Sequence, residues 1–285
     1  MAWPRIGAHV STAGGLATAF GRGAAIGCEA LQIFVKSPNQ WRAKPLAAPD
    51  SDRFRAAHAA GGSPPVVAHA AYLINLAASD ERILELSRGA LADELERCAR
   101  LGVEGLVVHP GAHLGAGEAA GVERIAASLD AVLAATPDGG PRLLLELTAG
   151  QGTVLGHTLE QLRAIRDRTA ARQRVGFCLD TCHAYASGYE LGTEAAVEEF
   201  LARADEVLSL ELVACVHLND SAGERGSRRD RHANLGEGRI GLSGFARWLS
   251  EPRLAGAPMI LETPLGDDER GHARDLERLR ELRGG

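Results

Sequence analysis

Eight short apolar runs constrain this chain more than any other feature. They fall at residues 6–10, 31–35, 66–68, 106–108, 143–145, 175–179, 212–216 and 259–261, each followed by a break containing Gly, Pro, Ser or Asn and then a helical stretch. Several are apolar at successive positions rather than alternating, the pattern of parallel strands buried on both faces. Between them the spacing turns helical: over residues 80–101, Leu84, Leu91, Leu95 and Cys98 share one face. Thr158 with Gln161 reads as a capping box, and Thr193 and Ser243 read as N-caps. One (β/α)₈ barrel takes roughly 250 residues, so the 285 residues predict an α/β chain folded as a single-domain TIM barrel over 1–285. An open doubly wound sheet would carry a Gly-rich phosphate loop after its first strand, and Gly14-Gly15 is a poor match to one.

How the runs end points to chemistry. The third to eighth are followed directly by His69, His109, Glu146, Asp180, His217 and Glu262. In a barrel these positions form a ring at the C-terminal rim, where active sites of this fold lie. Three imidazoles and three carboxylates converging there are ligands for first-row metals, with imidazole favouring zinc over magnesium. Cys178-Leu-Asp-Thr-Cys-His183 sets His183 three residues after Asp180, and Arg229-Asp-Arg-His232 sets Asp230 and His232 two apart in a loop. His183, Asp230 and His232 could close a third metal site. His9 and His113 lie near the rim and suit substrate binding, ligand orientation or a structural role. His58, His157 and His272 fall on helices or surface turns, and Cys182 reads as packing. No Gly-x-Ser-x-Gly elbow, Walker loop or His-Glu-x-x-His helix is present.

Composition sets outer limits. The five cysteines are odd in number and show no C-x-x-C spacing, which reads as reduced thiols in a cytoplasmic protein. No apolar run approaches the ~20 residues of a membrane helix, and the first residues lack the apolar segment of a secretory leader. The net charge of −6 weighs against nucleic acid, but three divalent metals would cancel it and concentrate positive charge at one spot.

The motifs Ile6-Gly-Ala-His-Val-Ser11, His69-Ala-Ala-Tyr-Leu-Ile-Asn-Leu76, His109-Pro-Gly111, Cys178-Leu-Asp-Thr-Cys-His183, His217-Leu-Asn-Asp-Ser221, Asp230-Arg-His232 with Leu235-Gly-Glu-Gly238, and Leu261-Glu-Thr-Pro264 resemble the endonuclease IV family over nearly the whole chain. The resemblance implies a barrel with three zinc ions, manganese being an alternative occupant of one site. It implies cleavage of duplex DNA on the 5′ side of abasic nucleotides, leaving a 3′-hydroxyl and a 5′-deoxyribose phosphate, and trimming of blocked 3′ ends, by a monomer. On the matching positions, His69, His109 and Glu146 would hold one zinc. A bridging Glu146 with Asp180, His217 and Glu262 would hold the second, and His183, Asp230 and His232 the third. Glu146 and Glu262 would also steer the proton of the attacking water. Tyr72 and Leu73 would enter the DNA stack, and Gln40 and Arg231 would contact DNA. Family members often carry Arg where this chain has Asn39, itself at a DNA-contacting position.

A single-metal sugar isomerase or epimerase on the same barrel is the rival reading. Glu146, Asp180, His217 and Glu262 alone would satisfy it, but it has no need for His69, His109, His183, Asp230 and His232 together. A damaged-DNA binding module without catalysis is a third reading, against which the full ligand set argues.

Overall fold

Runs of apolar residues with no polar face can only be satisfied between two layers, and the barrel supplies both. The computed structural model describes residues 3–137 and 139–284. Its parallel strands are β1 (Ile6–His9), β2 (Ala30–Ile33), β3 (Val66–His69), β4 (Gly105–Val108), β5 (Arg142–Glu146), β6 (Val175–Asp180), β7 (Val213–His217) and β8 (Met259–Leu261). Each pairs with the next, and β8 pairs with β1, closing the barrel. Closure leaves no exposed sheet edge. Around it run α1 (Thr18–Ala25), α2 (Ala48–Ala60), α3 (Glu81–Leu101), α4 (Glu118–Ala134), α5 (Leu159–Arg168), α6 (Thr181–Ser187), α7 (Glu194–Leu208), α8 (Phe245–Leu249) and α9 (Gly271–Gly284). The TIM barrel expected from the runs is therefore the fold observed.

The core has two parts. Outward strand residues such as Ile6, Ile33, Leu106 and Phe177 pack against Leu91, Leu95, Ile125 and Leu129 of the helices. Inside the barrel a separate layer holds Ala30, Val67, Val107, Leu144, Cys178, Cys215 and Ile260. Side chains alternate along a strand, so the next inward position lies two residues on. That one rule places the rim residues described below.

Helix starts follow local chemistry. Asp80, Thr158 and Thr193 cap α3, α5 and α7 by accepting from the backbone N–H three residues on. The Gln161 side chain reaches back to the N–H groups of Gly156 and His157, two and one residues ahead of the cap, rather than to Thr158 itself. Ser243 caps nothing: Gly244 already has helical backbone angles, α8 starts at Phe245, and Ser243 lies in the preceding turn.

Candidate metal centre

Stepping two residues along each strand from the inner apolar layer reaches Gln32, His69, His109, Glu146, Asp180, His217 and Glu262, with His9 in the same position on β1. The rim of the barrel is thus a ring of polar side chains, most of them buried. Glu146 sits at its centre, fully buried. Its Oε2 is 3.1 Å from His69 Nε2 and 3.0 Å from His109 Nε2, and its Oε1 is 3.1 Å from His217 Nδ1. Three groups could each hold a metal ion, with the ligand atoms of each group within 4.8 Å of one another. They are His69, His109 and Glu146; Glu146, Asp180, His217 and Glu262; and His183, Asp230 and His232. Cys178 and Cys215 approach His217, and Cys182 approaches Asp180 and His232, in similar groups. The Cys182 thiol donates to the Arg231 carbonyl.

The donors are oriented as metal ligands would be. Nδ1 of His69, His183 and His232 lies 2.8, 3.0 and 3.2 Å from the carbonyls of Ala70, Leu147 and Glu262. A carbonyl only accepts, so each Nδ1 carries the proton and leaves an Nε2 lone pair. The Nε2 atoms of His183 and His232 are buried without a hydrogen-bond partner. Asp230 Oδ1 is 3.2 and 3.4 Å from them. Bare lone pairs and a carboxylate oxygen facing common space fit a cation between them.

Gln32, missed by reading run ends, sets the opposite tautomer at His217. Its Oε1 accepts from His217 Nε2 at 2.8 Å, leaving Nδ1 for the carboxylates. Its amide nitrogen donates to Glu262 Oε1 at 2.6 Å and to His9 Nδ1 at 3.0 Å. Burial pushes His9 below its ordinary value, in keeping with a neutral acceptor ring. Losing such support for a ligand costs about 10–100-fold in metal affinity. Gln32→Leu is therefore expected to weaken metal binding by that factor at the Glu146, Asp180, His217 and Glu262 group, measured by competition with a chelator. Unchanged affinity would show that Gln32 does not orient this group.

The loops beyond the rim are built to the same end. Asn219 donates to Asp180 Oδ2 at 2.7 Å and accepts from the Glu262 N–H at 2.8 Å. Buried Asp220 accepts from the N–H groups of Ser221, Gly236, Gly238, Ile240 and Gly241, and a Cβ on Gly238 would lie 2.4 Å from its Oδ1. This explains the Leu235-Gly-Glu-Gly238 motif. The folded-down loop packs beside the short ribbon of Asp220–Ser221 and His232–Ala233 that carries His232. Gly111, at φ 125°, could take no side chain without meeting Asn75, whose amide ties the β3 and β4 loops together.

Tyr72 projects from the rim with 64% of its surface exposed, its ring 5.4 Å from Phe34 and 5.9 Å from His69. Leu73 is half-buried, while Asn39, Gln40 and Arg231 are exposed. Tyr72 and Arg231 line a cleft of about 550 Å³ over the metal groups; Asn39, Gln40 and Leu73 stand outside its wall. His113 Nδ1 accepts from Gly115 and Gly117 and closes a turn. His58 and His157 bond local carbonyls, and His272, buried on α9, bonds the Thr263 carbonyl at the cleft.

The carboxylates and imidazoles of the ring shift one another's titration. Burial would raise Glu146, but His109 and His217 outweigh it and hold it well below the usual carboxylate range. Burial would lower His183 and His217, but Asp180 and Glu262 respectively outweigh it and hold both well above theirs. Metal must displace protons held on these imidazoles, so affinity falls as pH falls. Proton release on metal addition, read as titration heats that vary with buffer ionisation enthalpy, is the expected result. Heats independent of buffer would contradict it.

A xylose isomerase-like TIM barrel family model matches residues 20–282. A probable endonuclease 4 from Chloroflexus aurantiacus is 44% identical over 279 residues, 98% of each chain. The crystal structure of endonuclease IV from Thermus thermophilus superposes with a TM-score of 0.85 at 42% identity, covering 99% of this chain and 98% of that one. A D-tagatose 3-epimerase-like protein, 22% identical with a TM-score of 0.76 and covering 98% and 97%, shares the fold. Barrel, rim and motifs define a xylose isomerase-like TIM barrel whose rim groups side chains that could hold metal ions. Within that class, the chain belongs to the endonuclease IV family.

Proposed function

We propose that this protein is a DNA-repair endonuclease that hydrolyses the phosphodiester 5′ to abasic sites, leaving a 3′-hydroxyl and a 5′-deoxyribose phosphate, and that it trims blocked 3′ ends. The observation that carries the reading is the surplus of ligands. Glu146, Asp180, His217 and Glu262 are what a one-metal epimerase would use, yet His69, His109, His183, Asp230 and His232 converge beside them.

In this reading Glu146 would be shared by two zinc sites, the first completed by His69 and His109 and the second by Asp180, His217 and Glu262. His183, Asp230 and His232 make the third. Manganese is an alternative occupant of one. When bound, zinc supplies Lewis acidity, neutralising phosphate charge and acidifying water near neutral pH. Glu146 and Glu262 steer the proton of the attacking water. Three divalent ions offset the chain's net charge of −6 at the point where phosphate must approach. The five free cysteines accord with a cytoplasmic enzyme, acting as a monomer. Elemental analysis should find about three metals per chain, mostly zinc; a single tightly held metal would favour the epimerase reading.

Recognition falls to the exposed rim. Tyr72, with Leu73 behind it, wedges into the stack where a base is missing, since unstacking costs least there. Asn39, Gln40 and Arg231 meet the DNA around it. Tyr72→Ala is expected to weaken binding to abasic duplex about tenfold, the order of one lost base–aromatic stack, with metal content unchanged. Equal affinity of variant and parent in fluorescence anisotropy would remove the wedge.

A further inference from the structure

Helix α3 buries an acid where its periodicity calls for an apolar side chain. Glu94 lies on the face of Leu91, Leu95 and Cys98. Its Oε1 is 3.2 Å from Lys36 Nζ, and both side chains are only 1% exposed. Desolvating such a pair costs several kcal/mol per ion, and apolar residues of similar volume are often as stable. Packing stability therefore gives no reason for the pair, but its other bonds do. Lys36 Nζ also donates to the carbonyls of Gln40 at 3.3 Å and Trp41 at 3.0 Å. The two Glu94 oxygens accept from the Ala71 N–H at 3.3 and 3.2 Å. One end of the pair thus holds the loop carrying Asn39 and Gln40, and the other holds the turn carrying Tyr72 and Leu73. Among the described residues no other hydrogen bond or ion pair joins these two segments.

We propose that Lys36 and Glu94 are positioning residues, a buried brace that fixes the spacing between the 36–41 loop and the Tyr72-Leu73 turn so that both engage an abasic duplex together. The proposal rests on the DNA-repair reading above. It explains why charge is kept in this core: a directional link fixes one arrangement, whereas apolar contact would let the segments slide.

The test compares Lys36→Met, Glu94→Gln and the double variant with the parent. Burial holds the Glu94 carboxyl up at about 7 even beside Lys36, so in Lys36→Met it takes up a proton rather than staying a bare buried charge. Glu94→Gln keeps an acceptor for the Ala71 N–H. The ligand is a duplex with a cleavage-resistant abasic analogue and 2-aminopurine opposite it. Each single variant should raise Kd about tenfold. The double variant should be no weaker than the worse single, because all three cut one link. The 2-aminopurine signal at saturation should fall. Metal content should hold, and cleavage of an ordinary abasic duplex at saturation should stay within about threefold. Parental Kd in all variants, or effects of the two singles that add, would overturn the brace. So would loss of metal or of folding in both singles, which would make the pair structural. A parent protein that does not bind abasic duplex would instead overturn the functional reading itself.

Discussion

Glu146→Gln is expected to abolish cleavage of abasic DNA, by about 10⁴-fold or more, while the barrel stays folded. The substitution keeps the volume of a fully buried side chain but removes its charge. It also turns one ligand oxygen into an amide N–H₂ that faces imidazoles. Those imidazoles belong to two groups at once: His69 and His109 on one oxygen, His217 on the other. A bridging carboxylate lost from both should release both of those metals, leaving the His183, Asp230 and His232 site. Metal content near one per chain, with far-ultraviolet dichroism like the parent's, is the accompanying result. Cleavage within tenfold of the parent would remove Glu146 from the centre of the mechanism.

Asp230→Ala is expected to have the next largest effect, for a narrower reason. Asp230 is 41% exposed and sits at the edge of the ring, so its removal leaves no hole in the core. Burial would raise its carboxyl, but His183 foremost and His232 outweigh it and bring it to about 2, so it is ionised at any pH at which the enzyme would work. Without it His183 and His232 are left as a two-donor site, too few for tight zinc binding. One metal of three should be lost, and cleavage at saturating DNA should fall about 10³-fold, the order seen when one fixed stabiliser of transition-state charge is removed. A variant that keeps three metals and the parental rate would separate this loop from the reaction.

Much of this was legible in the sequence because a barrel strand reports its own end. Apolar runs terminate where the chain leaves the inner and outer packing layers, so His69, His109, Glu146, Asp180, His217 and Glu262 stood out as first polar residues. The same rule hid Gln32. Strand β2 stops at Ile33, but Val35 is buried in the loop beyond, so the run read on past Gln32 to Val35. Two-residue alternation from Ala30 would have found it. Glu94 was masked for a related reason: apolar residues on both sides define a helical face, and one acid within it reads as an interruption. Its partner, Lys36, is 58 positions earlier by the numbering, a contact that only the closed barrel creates. Ser243 shows the converse, a cap residue type where the backbone is already helical one position on. Asp220 was seen only as part of a motif, because its bonds run to backbone groups that carry no sequence signal.

The most direct test of the account is incision of a duplex carrying one abasic site, by protein purified without chelator, with the ends of both fragments identified. The account predicts a single cut 5′ to the lesion, a 3′-hydroxyl and a 5′-deoxyribose phosphate, lost on metal removal and restored by zinc. An intact abasic strand from protein with a full complement of metal would contradict it, the more so if the same preparation epimerised a ketose.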